Sequence, residues 1–214
     1  MSHQSPRFRD PDDPSEEPDE PGTGEQKPVE SQLNELESRL FKGRKVMVFG
    51  AITDKLARDV VARVLALVDE STKPIHIYVN SPGGHVESGD SIHDIVKFVR
   101  SSVPICMIGT GWVASAGALI YLAAEMTRRY CLPNTRFLLH QPMGGVRGPA
   151  TDIDIEAREI IKMRERLSQI IASETGQPIE RVRKDTDRNY WMSAQEAIEY
   201  GLAHKIINTM DELA

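Results

Sequence analysis

Between residues 103 and 126 the chain passes from a β-branched run into an Ala/Leu-rich run through a joint of small residues. The first run is Val103-Pro104-Ile105-Cys106-Met107-Ile108, which reads as a buried strand. The last is Ala118-Leu119-Ile120-Tyr121-Leu122-Ala123-Ala124-Glu125-Met126, which reads as a buried helix. Between them lies Gly111-Trp112-Val113-Ala114-Ser115-Ala116-Gly117. Such a joint lets strand and helix pack closely and leaves Ser115 at the turn, with the first free N–H groups of the helix beside it. A nucleophilic serine needs both access for a carbonyl and dipoles placed for an oxyanion. Taken alone, the pattern is more often a packing turn.

Two further strand ends carry chemistry. Pro74-Ile75-His76-Ile77-Tyr78-Val79 alternates and runs into Asn80-Ser81-Pro82-Gly83-Gly84, a turn whose backbone suits glycine and can offer an unhindered N–H. Arg136-Phe137-Leu138-Leu139-His140 closes on a histidine ahead of Gln141-Pro142-Met143-Gly144-Gly145, and a strand-end histidine can serve as a general base. Each feature alone is commonly structural; the three together are harder to dismiss.

The wider pattern is one of alternating elements. Leu33, Leu36 and Leu40 give helical spacing behind Ser31 as a cap candidate, then residues 45–50 read as a strand and 54–67 as an amphipathic helix. Strand 74–80, helix 87–100, strand 103–109, helix 115–126, strand 135–140 and a long helix near 151–175 follow. Repeated strand-helix units predict an α/β fold with a mainly parallel sheet, whose sites lie at strand carboxyl ends.

Charge divides the chain. Residues 1–30 carry nine acidic and three basic side chains and six of the 13 prolines, so the net charge of −6 resides there and the rest is neutral. That acidic, Pro-rich segment has too little apolar surface to offset chain entropy and is expected to be a disordered tail, leaving 31–214 as a single folded domain. It has neither the basic start nor the apolar stretch of a secretory signal. No run reaches transmembrane length, and a neutral body argues against a nucleic-acid partner. Cys106 and Cys131 sit in apolar surroundings, and neither they nor the histidines show metal-ligand spacing. A cytoplasmic protein with no metal and no cofactor of its own is the expectation.

These motifs, with Leu132-Pro133-Asn134, Ala150-Thr151-Asp152-Ile153, Ser193-Ala194-Gln195-Glu196-Ala197 and Tyr200-Gly201-Leu202, resemble the proteolytic subunit of the Clp protease, ClpP. The resemblance spans about residues 38–208. Crotonases and signal-peptide peptidases share the strand-turn-helix idea but not this set. The resemblance implies a ClpP/crotonase-like α/β fold with a handle helix over about 145–176, and a serine endopeptidase that acts on unfolded polypeptides and small peptides. Ser115 matches the nucleophile, His140 the base, and the backbone N–H groups of Gly84 and Ala116 the oxyanion hole. It further implies stacked heptameric rings and a Clp-type AAA+ unfoldase as partner, which uses the ATP; the chain has no phosphate-binding loop of its own. The ATPase-docking groove of the family maps onto His76, Tyr78, Phe98, Ile105, Met107, Tyr130, Leu132 and Ile207.

Two departures stand out. Spacing from His140 and from Ser193-Ala194 places Asn189 where the family carries the triad aspartate. An amide can orient an imidazole but brings no charge, and this exchange lowers kcat about 10⁴-fold in a serine protease. The expected activity is therefore weak or conditional, and the alternative is a largely non-catalytic ring subunit assembling with an active ClpP paralogue. Asp187 and Asp185 are nearby carboxylates that would substitute only if the register slipped. The second departure is length: the segment between Phe98 and Ser115 is two residues longer than usual, around Ile108-Gly109-Thr110.

Overall fold

The computed structural model describes residues 29–213, with side chains described from residue 34; the acidic segment expected to be disordered lies, but for Val29 and Glu30, outside the described residues. The elements run α1 (Val29–Lys42), β1 (Lys45–Phe49), α2 (Asp54–Glu70), β2 (Ile75–Ser81), α3 (Val86–Val99), β3 (Ile105–Ala114), α4 (Ala116–Tyr121), β4 (Arg129–Cys131), β5 (Arg136–Leu139), α5 (Ala150–Thr175), α6 (Ile179–Asp185), β6 (Tyr190–Ser193), α7 (Ala194–Tyr200) and β7 (Lys205–Ile206). From Glu37 onward they form one compact unit. No helix among them is long and apolar enough to cross a membrane.

The helices and strands follow their sequence patterns. Helix α2 starts where Thr53 accepts the N–H of Leu56, and it buries the stripe Ala57, Val60, Val64 and Leu67. Strand β2 alternates fully buried Ile75, Ile77 and Val79 with half-buried His76 and Tyr78. The sheet order is β1-β2-β3-β4-β7, all parallel, with β5 parallel to the far end of β3 and β6 antiparallel to β5. Strand β3 is thus shared: its first half pairs with β4 and its second half with β5.

Within that shared strand β3 carries two residues more than β2 does alongside it. Val79 pairs with Gly109 but Ser81 pairs with Val113, so β3 bulges over Thr110, Gly111 and Trp112. Gly111 takes a φ of 61°, and a Cβ there would stand 2.7 Å from Asn80 Oδ1. The same oxygen accepts the N–H of Trp112. Two sequence expectations are corrected here. The strand read as 103–109 continues through the bulge to Ala114, and the helix read as 115–126 is a short α4 that ends at Tyr121.

One of the buried titratable groups is a histidine. His93 on α3 is buried; its Nδ1 meets Asp94 Oδ1 at 3.0 Å, and its Nε2 has no partner among the described residues. Burial holds its pKa below the ordinary histidine value, against the pull of Asp94 and Glu174 and with that of Lys97. The folded chain keeps His93 neutral, whereas the unfolded chain takes up a proton below about pH 6.5. Stability is therefore lost as pH falls through that value. His93→Phe is expected to shrink the fall in Tm between about pH 7.5 and about pH 5.5. A fall as large as the parent's would show that the acid sensitivity lies elsewhere.

Candidate active site

Ser115 occupies the joint between β3 and α4 at φ 54°, ψ −123°, a conformation rare for a residue with a side chain. Such positions cost about 1–3 kcal/mol and persist only where their surroundings enforce them. Here the enforcement is visible. The Ser115 N–H donates to Leu138 O (2.9 Å), tying the turn to β5, and Ser115 O accepts from Ala118 N and Leu119 N as the first acceptor of α4. On the other side Gly83 lies so close that a Cβ on it would stand 2.6 Å from that of Ser115.

The glycine pair is also bound to the loop after β1. Ile52 N–H donates to Gly83 O and His85 N–H to Ile52 O, both at 2.9 Å, so a Cβ on Gly84 would collide with Ile52 O. Gly83 N–H is already taken by Ser81 Oγ at 3.1 Å. Among the described residues no backbone acceptor takes up the N–H of Gly84 or of Ala116. Gly84 adjoins Gly83, which packs on Ser115, and Ala116 follows the serine in the chain, so both N–H groups are free for a ligand near the turn.

His140 follows β5, the strand paired with the end of β3. It lines one cavity with Ser115, walled by Val86, Ala116, Leu119, Leu139, Pro142, Leu167 and Ile171, and so mostly apolar. On its other side it opens onto a groove with Asn189, Asp187, Met143 and Ile160. The ladder explains why Asn189 is there. Leu139 pairs with Tyr190 in the antiparallel β5–β6 register, so positions 140 and 189 form the next opposed pair. Burial, the larger effect, lowers the pKa of His140, and the hydrogen-bonding side chain of Asn189 offsets part of it. Among the described residues no hydrogen bond closes between Ser115 Oγ and the imidazole. Such bonds are often long before substrate arrives.

The two neighbouring carboxylates are engaged elsewhere. Asp187 Oδ1 accepts from Arg164 (3.3 Å) and Asp187 pairs with Arg188, while Asp185 pairs with Arg181. Neither meets His140.

The eight groove positions divide. His76 and Tyr78 share a face of β2, and Tyr78 packs on a small cluster of Cys106, Ile108, Tyr130 and Ile207. Ile105 and Met107 pair with Ile75 and Ile77 and point the other way, into the main core. Their assignment to the groove is corrected: Cys106 and Ile108 occupy the face. Successive side chains on a strand point to opposite faces, so an assignment one residue off exchanges the faces. Phe98 and Leu132 are exposed, Phe98 at 76%.

A serine on a turn at the carboxyl end of a central parallel strand, with a histidine after the adjoining strand in the same cavity, is a layout open to serine-hydrolase chemistry. Residues 28–210 match the family model described as Clp protease, and the chain belongs to that family. It is 68% identical over 202 residues to the ATP-dependent Clp protease proteolytic subunit 2 of Gluconobacter oxydans, covering 94% of this chain and 91% of that one. It is 60% identical over 179 residues to the proteolytic subunit 3 of Rhizobium etli, covering 84% and 91% respectively. Among solved structures it resembles an asparagine-to-aspartate mutant of ClpP1 from Listeria monocytogenes, at TM-score 0.78 and 49% identity over 84% of this chain and 99% of that one.

Proposed function

We propose that the chain is a proteolytic-chamber subunit of an ATP-dependent Clp protease, a serine endopeptidase in which Ser115 attacks and His140 takes its proton. The observation that carries this reading is the enforced φ of Ser115 beside His140 and two uncommitted N–H groups. A purely structural subunit has no use for a strained serine. In the reaction the imidazole accepts the hydroxyl proton as Oγ adds to the scissile carbonyl. Gly84 and Ala116 donate to the oxyanion, and the imidazolium then protonates the leaving amine. Asn189 holds the ring but adds no charge to stabilise the imidazolium, so turnover is slow or depends on assembly. The chemistry needs no cofactor in this chain. Substrates are unfolded chains or small peptides, delivered within stacked rings by an AAA+ unfoldase that spends the ATP.

The open Ser115–His140 contact also fits a second reading, a ring subunit that becomes active, or serves only as scaffold, beside a ClpP paralogue. A fluorophosphonate probe separates the two. The assembled chain alone is expected to label with one probe per subunit, slowly, and Ser115→Ala to abolish labelling. An assembled ring that stays unlabelled until a paralogous subunit is added would support the second reading and sink the first.

A further inference from the structure

The pairing of β5 with β6 stops at Leu139↔Tyr190, one step short of the His140–Asn189 pair. Something beyond the ladder must keep residue 189 opposite residue 140. In a site with a carboxylate, attraction for the imidazolium helps to align the two groups; a neutral amide offers only a directional hydrogen bond. Alignment here depends on scaffolding.

The next residue supplies it. Gln141 N–H donates to Thr186 O at 2.6 Å, and Gln141 Nε2 donates to Asp187 O at 2.8 Å and approaches Asp187 Oδ1 at 3.5 Å. The triad pair thus sits between the last rung of the ladder on one side and two bonds from Gln141 on the other. Arg164 of α5 adds a contact to Asp187 Oδ1, and Arg188 donates to Asp187 O at 2.8 Å. Of these, only Gln141 is covalently next to the histidine.

We infer that Gln141 is a positioning residue of the peptidase: its side-chain amide fastens the turn 186–189 to the end of β5 and so holds Asn189 against His140. The inference rests on the catalytic reading above. It requires a donor at the end of the side chain, because the partner is a carbonyl oxygen. Glutamate at this position would have no proton to donate and would face the Asp187 carboxylate.

The test uses the full-length, assembled chain with Gln141→Leu and Gln141→Glu, each also made with Asn189→Asp. Hydrogen exchange read by mass spectrometry is the readout that does not need activity. Amides of residues 186–190 are expected to exchange faster in both single variants, with the rest of the sheet and the assembly unchanged. Peptide hydrolysis should lose about tenfold in kcat with KM unaltered, the effect of one hydrogen bond of about 1.4 kcal/mol. With Asn189→Asp the loss should be smaller, about threefold, since charge then shares the task of alignment. Unchanged exchange at 186–190 overturns the inference whatever the kinetics, as does a loss in KM alone or an equal loss in both backgrounds. If Ser115 in the parent chain neither labels nor turns over, the catalytic reading falls by itself, and the exchange result still decides whether Gln141 fastens the turn.

Discussion

Asn189→Asp is expected to raise kcat for a small peptide or ester by ~10²–10⁴-fold, with the larger figure set by the loss that the reverse exchange causes in a serine protease. The gain comes from the imidazolium, which forms as Ser115 gives up its proton. A carboxylate opposite the ring stabilises that charge in the transition state, and an amide does not. Geometry favours the substitution, because residue 189 already stands opposite His140 in the β5–β6 register and no other element need move. The same change shifts the pH profile. In the parent, burial lowers the pKa of His140, so the neutral base persists below the ordinary histidine range and activity is lost only as pH falls through that depressed value. An aspartate at 189 favours the charged ring and raises that pKa, so the acid limb should move upward while the plateau rises. Steady-state kinetics across pH on the assembled variant check both. A plateau that stays level, or an acid limb that does not move, would mean that residue 189 is not the triad partner.

How much of this was legible in the sequence depends on the range of the interactions. The strand-helix alternation, the Ser115 joint and the histidine closing β5 were readable because each is set by neighbours in the chain. Asn189 was placed by spacing, and the antiparallel register supplies the physical reason for that place. The bulge at Thr110–Trp112 was readable only as surplus length. Where two extra residues go is decided by the competing partners of β3, with β4 claiming Met107 to Gly109 and β5 claiming Trp112 to Ala114. Ile105 and Met107 were placed one residue away from Cys106 and Ile108, and one residue is enough to exchange faces. The bonds from Gln141 to the 186–187 turn join residues 45 or more positions apart, and no local pattern announces them.

Arg129 shows the same limit and carries the largest stability prediction. Nothing in Met126-Thr127-Arg128-Arg129-Tyr130 marks a core residue, and an arginine is almost never fully buried unless it is paired. Yet Arg129 is 0% exposed, and its bonds lie at the end of α4, the helix that follows Ser115. Its guanidinium donates to Leu122 O (2.9 Å), Ala124 O (2.8 Å) and Glu174 O (2.8 Å), satisfying carbonyls left over where α4 and α5 end. It also pairs with the Glu174 carboxylate at 2.5 Å, which Lys97 meets at 2.6 Å. Burial pushes the Glu174 pKa up, but the Lys97 hydrogen bond and the Arg129, Lys97 and Arg100 charges outweigh it, so the carboxyl stays ionised. Arg129→Met would orphan three carbonyls and break a buried pair, for an expected loss of about 3–5 kcal/mol. In a body of this size that is a fall in Tm of roughly 6–20 °C. Glu174→Gln keeps the shape and an acceptor for Lys97, and should cost less, about 1–2 kcal/mol. Urea unfolding of the two variants at equal protein concentration compares them. If Glu174→Gln were as damaging as Arg129→Met, ion pairing rather than carbonyl capping would be what holds α4. In that case the rigidity of the Ser115 elbow would depend on charge carried by α3 and α5.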